Sequence, residues 1–320
     1  DLVIDGNKST NDYINGCRGG GVYIHRSKNC LVENVKIHDF NGDTFSWQIT
    51  ENITVRGCEA SDGDGLGFHP GTGSDHSIVE NCISHNNKGD GIFLCWRVQN
   101  GIFRNNTVYG NGGNGFSIGH KDTDNIFENN RFVGVTTTST SDVRTLLYSP
   151  SGTTDNGNII RNNFFQNGSD GIFIQGNSAT NLYETGTQIV KNHFQNQYRR
   201  SIDLVNQNAP LVEDNRINVT STNPTYNGIV IRLCTNQLKV TKNQVYLNGG
   251  TLGISIQSCT STTNNRGLVA NNFIRVSGTN TGVAALFCLS SGTSGHCYMN
   301  YSYLCVKNIY DDESKNKVQS

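Results

Sequence analysis

Apolar residues in this chain recur in short alternating runs, and one polar residue type keeps step with them. Asn106, Asn130, Asn163, Asn192, Asn215, Asn243 and Asn272 each lie three residues after an apolar residue and two before another, as in Phe103-x-x-Asn106-x-Val108. The steps between them are 24, 33, 29, 23, 28 and 29 residues. Self-similarity at such a period marks stacked repeats, and short apolar strands between Gly, Asn and Asp turns select a parallel β-helix over helical repeats. An inward asparagine at a bend is tolerable only if its amide bonds to its counterparts one coil away, since an unpaired buried amide costs about 1–3 kcal/mol. The spacing therefore predicts an internal asparagine ladder.

The same register places Val35, Cys58 and Cys82 in that column in earlier coils. A second strand follows each bend, with inward pairs Val22/Ile24, Phe45/Trp47, Leu66/Phe68, Ile92/Leu94, Phe116/Ile118, Ile172/Ile174, Ile202/Leu204, Ile229/Ile231 and Ile254/Ile256 and the alternate residues outside. With two less regular coils near Leu147 and Phe287, the expectation is an all-β solenoid of about eleven coils, a rod on the order of 50 Å long. Residues 1–320 read as one domain, with earlier coils or a signal peptide expected before Asp1.

Composition narrows the function classes. The net charge is −1 with no Lys/Arg cluster, which argues against a nucleic-acid groove. No run of about 18 apolar residues exists to span a membrane. Ten cysteines suggest an oxidising, extracellular compartment. Cys234 with Cys259, on consecutive strands, and Cys288 with Cys297, across a short loop, are the expected disulfides; Cys58 and Cys82 read equally as stacked thiols or a bridge.

Reactive side chains concentrate on the outward face of the second strand in coils two to five. The first outward position reads His25, Gln48, His69 and Cys95; beyond it stand Trp96, Arg97, His120 and Lys121, and the turn leading in carries Asp43, Asp62, Asp64 and Asp90. Asp-Gly pairs also serve as plain turn chemistry, and a tryptophan can pack under a loop. An outward Trp96 between two histidines nevertheless suits stacking on a sugar ring.

On these residues the chain resembles the pectate-lyase-like superfamily of right-handed parallel β-helices. Asp62-Gly63-Asp64-Gly65, Lys88-Gly89-Asp90-Gly91 and Gly113-Asn114-Gly115 fall on successive coils and resemble the three motifs of polygalacturonases, with Gly91 in place of an aspartate and Asn114 in place of a histidine. The resemblance implies a secreted protein acting on a polysaccharide or oligosaccharide. The first expectation, ahead of a lyase, is a glycoside hydrolase, which would use Asp64 and Asp90 as its carboxylate pair, with His25, Asp43, Gln48, Asp62, His69, Trp96, Arg97, His120 and Lys121 binding substrate and no cofactor. A polysaccharide lyase would instead use His69, His120 or Lys121 as base, with Arg97 or calcium neutralising a uronate carboxylate. A non-catalytic fibre or glycan-binding surface protein is the third expectation.

Overall fold

The computed structural model describes residues 2–11, 20–134, 141–145, 156–176, 184–220, 223–250, 252–259, 267–277, 284–289, 296–298, 302–303, 307–311 and 317–319. Its strands form three parallel sheets of twelve strands each, and a two-stranded sheet pairs Glu184–Thr185 with Gln207–Asn208. Each coil contributes one strand to each large sheet, so the chain rises by one strand per turn. The twelve coils compare with the eleven or so expected; strands continue to Lys317–Gln319 beyond the last ladder asparagine. Leu147 lies outside the described residues.

One local device makes the bend before each residue of the ladder column. Asn34, Gly57, Asn81, Asn105, Asn129, Asn162, Lys191, Asp214, Lys242 and Asn271 all adopt φ between 55° and 61°. Each stands immediately before a column residue. The left-handed conformation folds the chain back so that the next side chain enters the core, and asparagine adopts it at lower cost than most other non-glycine residues. The Asn-Asn doublets are thus a bend residue followed by a ladder residue.

The ladder is continuous. The Asn106 amide nitrogen donates to Asn130 Oδ1 at 3.0 Å, Asn130 to Asn163 at 3.0 Å, Asn163 to Asn192 at 3.0 Å, Asn192 to Asn215 at 3.1 Å, Asn215 to Asn243 at 3.0 Å and Asn243 to Asn272 at 2.9 Å. Cys58 and Cys82 extend the column as thiols: Cys58 N–H donates to Cys82 Sγ, and Cys82 N–H to Asn106 Oδ1. Shorter ladders join Asn87 to Asn111 and Asn125 to Asn158. Around these columns lies a core of stacked aromatic rings, such as Phe132, Phe165 and Phe194.

Two expectations are corrected. In coil three the inward pair is Phe68/Pro70: Phe45 pairs with Phe68 and Trp47 with Pro70. Leu66 is instead held in the preceding turn, where its N–H donates to Asp43 Oδ1 at 3.0 Å. Proline carries no donor and is a poor marker of a strand interior, which hid this register. The second correction concerns Cys234 and Cys259, which are thiols in the core, without a disulfide. Leu233 and Ser258, at φ 54° and 48°, turn the chain just before them and point both sulfurs inward. Cys288 and Cys297 lie on strands whose side chains are outside the described residues.

Candidate functional site

The register of coil three decides what faces solvent on the second sheet. His69 pairs with Ser46, and Phe68 pairs with Ile92, so Phe93 stands next to the His69 ring, edge-on at 5.5 Å between centroids. Asp43, in the turn before strand Phe45–Gln48, reaches across one coil, and its Oδ2 lies 2.6 Å from His69 Nδ1. Its other oxygen accepts the Leu66 N–H, which fixes the carboxylate. Both side chains are almost fully buried, His69 at 1% exposure. Burial alone lowers the His69 pKa, but the Asp43 hydrogen bond, a hydrogen bond with Cys95 and the charges of both outweigh it, and the pKa is raised.

These residues form the floor of a cleft of about 610 Å³, with Leu66, Phe93 and Cys95 lining it and Trp96 at its rim. Trp96 is 50% exposed, and its ring lies 5.4 Å from that of His120. Burial, then the charge of Lys121, lowers the His120 pKa and so favours the neutral ring. With Nδ1 committed to Asp43, the remaining nitrogen of neutral His69 carries a lone pair. That Nε2 is buried without a nitrogen or oxygen partner. The arrangement is an oriented proton acceptor at the base of a hydrophobic-walled pocket.

Of the expected site residues, the structure brings together Asp43, His69 and Trp96, with His120 alongside. Asp64 lies in an ion cluster 2.9 Å from Lys88 and 3.5 Å from Lys8, and the Lys88 hydrogen bond leads in holding its pKa below the usual carboxylate range. Asp90 accepts the Asn114 N–H of the next coil at 2.5 Å. Neither lines the cleft. Asp62 is a left-handed turn residue whose carbonyl accepts from Lys8. His25 is exposed and stacked on Tyr23, Gln48 packs over Gly71, and Arg97 and Lys121 are exposed at positive φ.

Further buried carboxylates lie outside the expected site residues. Asp122 accepts the N–H groups of Val98 at 2.8 Å and Gly119 at 2.7 Å, and burial pushes its pKa up to about 7. Asp203 is fully buried between Arg200 and Arg232, and Asp170 pairs with Arg199. Asp203 sits between the inward residues Ile202 and Leu204, an outward slot that the alternation alone pointed to. Among the described residues, three potential metal ligands converge only at Asp5, His38 and Asp39, on the first two coils and exposed or half-exposed. Among the carboxylates, Asp43 lines the cleft, and its two oxygens meet His69 Nδ1 and the Leu66 N–H.

Residues 2–147 match the family model described as the right handed beta helix region. No curated protein matches the chain. Among solved structures, PfbA, a surface adhesin of Streptococcus pneumoniae, superposes with a TM-score of 0.62 at 12% identity, covering 96% of this chain and 76% of the adhesin. A tailspike protein of the E. coli bacteriophage HK620, solved with a pentasaccharide, gives 0.52 at 12% identity, covering 87% of this chain and 59% of the tailspike. The A-module of the Azotobacter vinelandii mannuronan C-5 epimerase AlgE4 gives 0.45 at 12% identity over 99% of this chain and 88% of the module. No helix of the described residues is long and apolar enough to cross a membrane. With a family-model match over residues 2–147 and the same three-sheet winding continuing beyond them, the chain is a parallel β-helix similar in fold to these solved β-helix proteins.

Proposed function

We propose that this chain is an extracellular glycan-processing β-helix whose site is the cleft above Asp43 and His69. The observation that carries the reading is a buried, oriented histidine opening onto a pocket with a half-exposed tryptophan at its rim. A sugar ring stacks on Trp96, and His69 exchanges a proton with the bound glycan while Asp43 stabilises the imidazolium. One base facing the pocket suits abstraction of the proton next to a uronate carboxylate better than two-carboxylate hydrolysis, because Asp64 is neutralised by lysines. Arg97, exposed and adjacent to Trp96, is the cation available to that carboxylate. The surface or extracellular setting is supported by the adhesin and tailspike neighbours.

A non-catalytic glycan-binding role is the second reading, favoured by one observation: Asp90 is bonded to the backbone of the neighbouring turn, as a structural carboxylate would be. A polysaccharide panel separates the two. Binding weakened by Trp96→Ala, together with an unsaturated or epimerised product that disappears in His69→Gln, supports processing. Binding without turnover on any polymer leaves the adhesin role, and binding that ignores Trp96 overturns the site.

A further inference from the structure

The floor of the cleft holds a third reactive group that proton transfer to a sugar does not use. Cys95 follows the inward Leu94 on the coil after His69; its N–H donates to Pro70 O at 3.1 Å, and its thiol hydrogen-bonds to His69. Asp43, His69 and Cys95 therefore come from three successive coils and line one cleft, with Asp43 Oδ2 2.6 Å from His69 Nδ1 and Cys95 interacting with the same ring. This is a relay and not a chelate: among the described residues, the metal-type cluster whose donor atoms lie within 4.8 Å of one another is Asp5, His38 and Asp39. Cys95 is 7% exposed but lines the cleft, whereas Cys58, Cys82, Cys234 and Cys259 are buried in the core.

The backbone beyond the thiol is also unusual. Trp96 and Arg97, at φ 65° and 60°, are the one pair of consecutive non-glycine residues with positive φ among the described residues. A strained pair of this kind costs on the order of 1–3 kcal/mol per residue and is found mainly where the fold must hold a group in place. Here it swings the indole out to the rim and leaves the thiol at the pocket floor.

We propose that Asp43, His69 and Cys95 form an acyl-transfer relay that gives the cleft a second activity, removal of an ester-linked acyl group from a bound glycan. His69 takes the thiol proton, the Cys95 thiolate attacks the ester carbonyl carbon, and the carbon–oxygen bond to the sugar breaks as His69 returns the proton to the departing sugar oxygen. Water, deprotonated by His69, then attacks the thioester, releasing the carboxylic acid and regenerating the thiol. The natural substrate rests on the glycan reading above, but the thiol chemistry can be tested without any sugar.

The full chain is treated with p-nitrophenyl acetate, phenolate release is followed, and acid-quenched protein is mapped by mass. The relay predicts acetylation at Cys95, no adduct at that position in Cys95→Ser, and acylation slowed about a hundredfold in His69→Gln, the scale of losing a general base. Cys30, partly exposed and distant in the fold, reports unassisted thiol reactivity. Acylation of Cys30 as fast as Cys95, or unchanged acylation in His69→Gln, overturns the proposal. If His69→Gln fails to fold, the iodoacetamide profile of the wild-type chain decides. Alkylation of Cys95 persisting below the pH range of an ordinary thiol, with a pKa of about 8.5, supports the relay, and a profile superimposed on that of Cys30 refutes it. Because the probe carries no sugar, a chain that acylates at Cys95 but binds no polysaccharide overturns the glycan reading alone.

Discussion

Replacing Asn192 by leucine tests the ladder where it is most regular. The Asn192 amide donates to Ile160 O at 2.8 Å and to Asn215 Oδ1 at 3.1 Å, and its oxygen accepts both the backbone N–H and the side-chain amide of Asn163 at 3.0 Å. In Asn192→Leu the Asn163 N–H is left without an acceptor in the dry core. The Asn163 amide keeps Phe127 O, and Asn215 Oδ1 keeps the residue-192 N–H, so these two lose one partner each. One stranded donor costs about 1–3 kcal/mol; with the weakened neighbours, and some return from burying an apolar side chain, the expected loss is about 2–4 kcal/mol. Asn192→Cys should lose less than half as much, because a thiol at this position accepts a backbone N–H, as Cys82 does from Cys58 at 3.4 Å. Urea unfolding gives the stability, and amide hydrogen exchange localises it. An Asn163 amide as protected in the leucine variant as that of Asn130, with an unchanged unfolding midpoint, would refute the reasoning.

Asp64→Asn should leave turnover within about threefold and stability within about 1 kcal/mol, since its ion pairs are near the surface, whereas His69→Gln should lose about a hundredfold; steady-state rates on the substrate found by the panel distinguish them. The raised His69 pKa places the acid limb of the pH–rate profile above the ordinary value near 6.5, and Asp43→Asn should move it down. The same shift makes the folded chain hold that proton more tightly than the unfolded one. The stabilisation from the pair is therefore complete below about pH 6.5 and is lost as pH rises through the folded pKa, a trend that unfolding measurements in Asp43→Asn should lack. Mass mapping without reductant should find Cys234 and Cys259 as thiols.

The winding of the chain was legible because ladder and bend obey local rules: a left-handed residue, then an inward amide, repeated at each turn. The cleft was legible only in part. Trp96, Asp43 and His69 stood out as residue types, yet Asp43 meets His69 only because coil three slips by two residues, with Leu66 drawn into the turn and Pro70 into the core. No alternation pattern distinguishes Leu66/Phe68 from Phe68/Pro70. The choice of Asp64 and Asp90 followed turn spacing, which is blind to the lysine on a neighbouring coil that neutralises one and to the backbone N–H that occupies the other. The inward sulfurs of Cys234 and Cys259 were missed for a related reason, since a leucine and a serine in the left-handed region leave no mark in sequence.

The ladder also has a direction. From Asn106 to Asn243 each ladder asparagine donates its backbone N–H and one side-chain hydrogen to the coil that follows, while its second side-chain hydrogen turns back to a carbonyl of the coil before. A chain emerging amino-terminus first thus completes the carbonyl bond of each new coil at once but leaves two donors waiting for the next. The growing tip always presents hydrogens and never their acceptors, so the rod lengthens on a template that is chemically different from its starting face, and two tips of the same kind cannot complete each other's ladders.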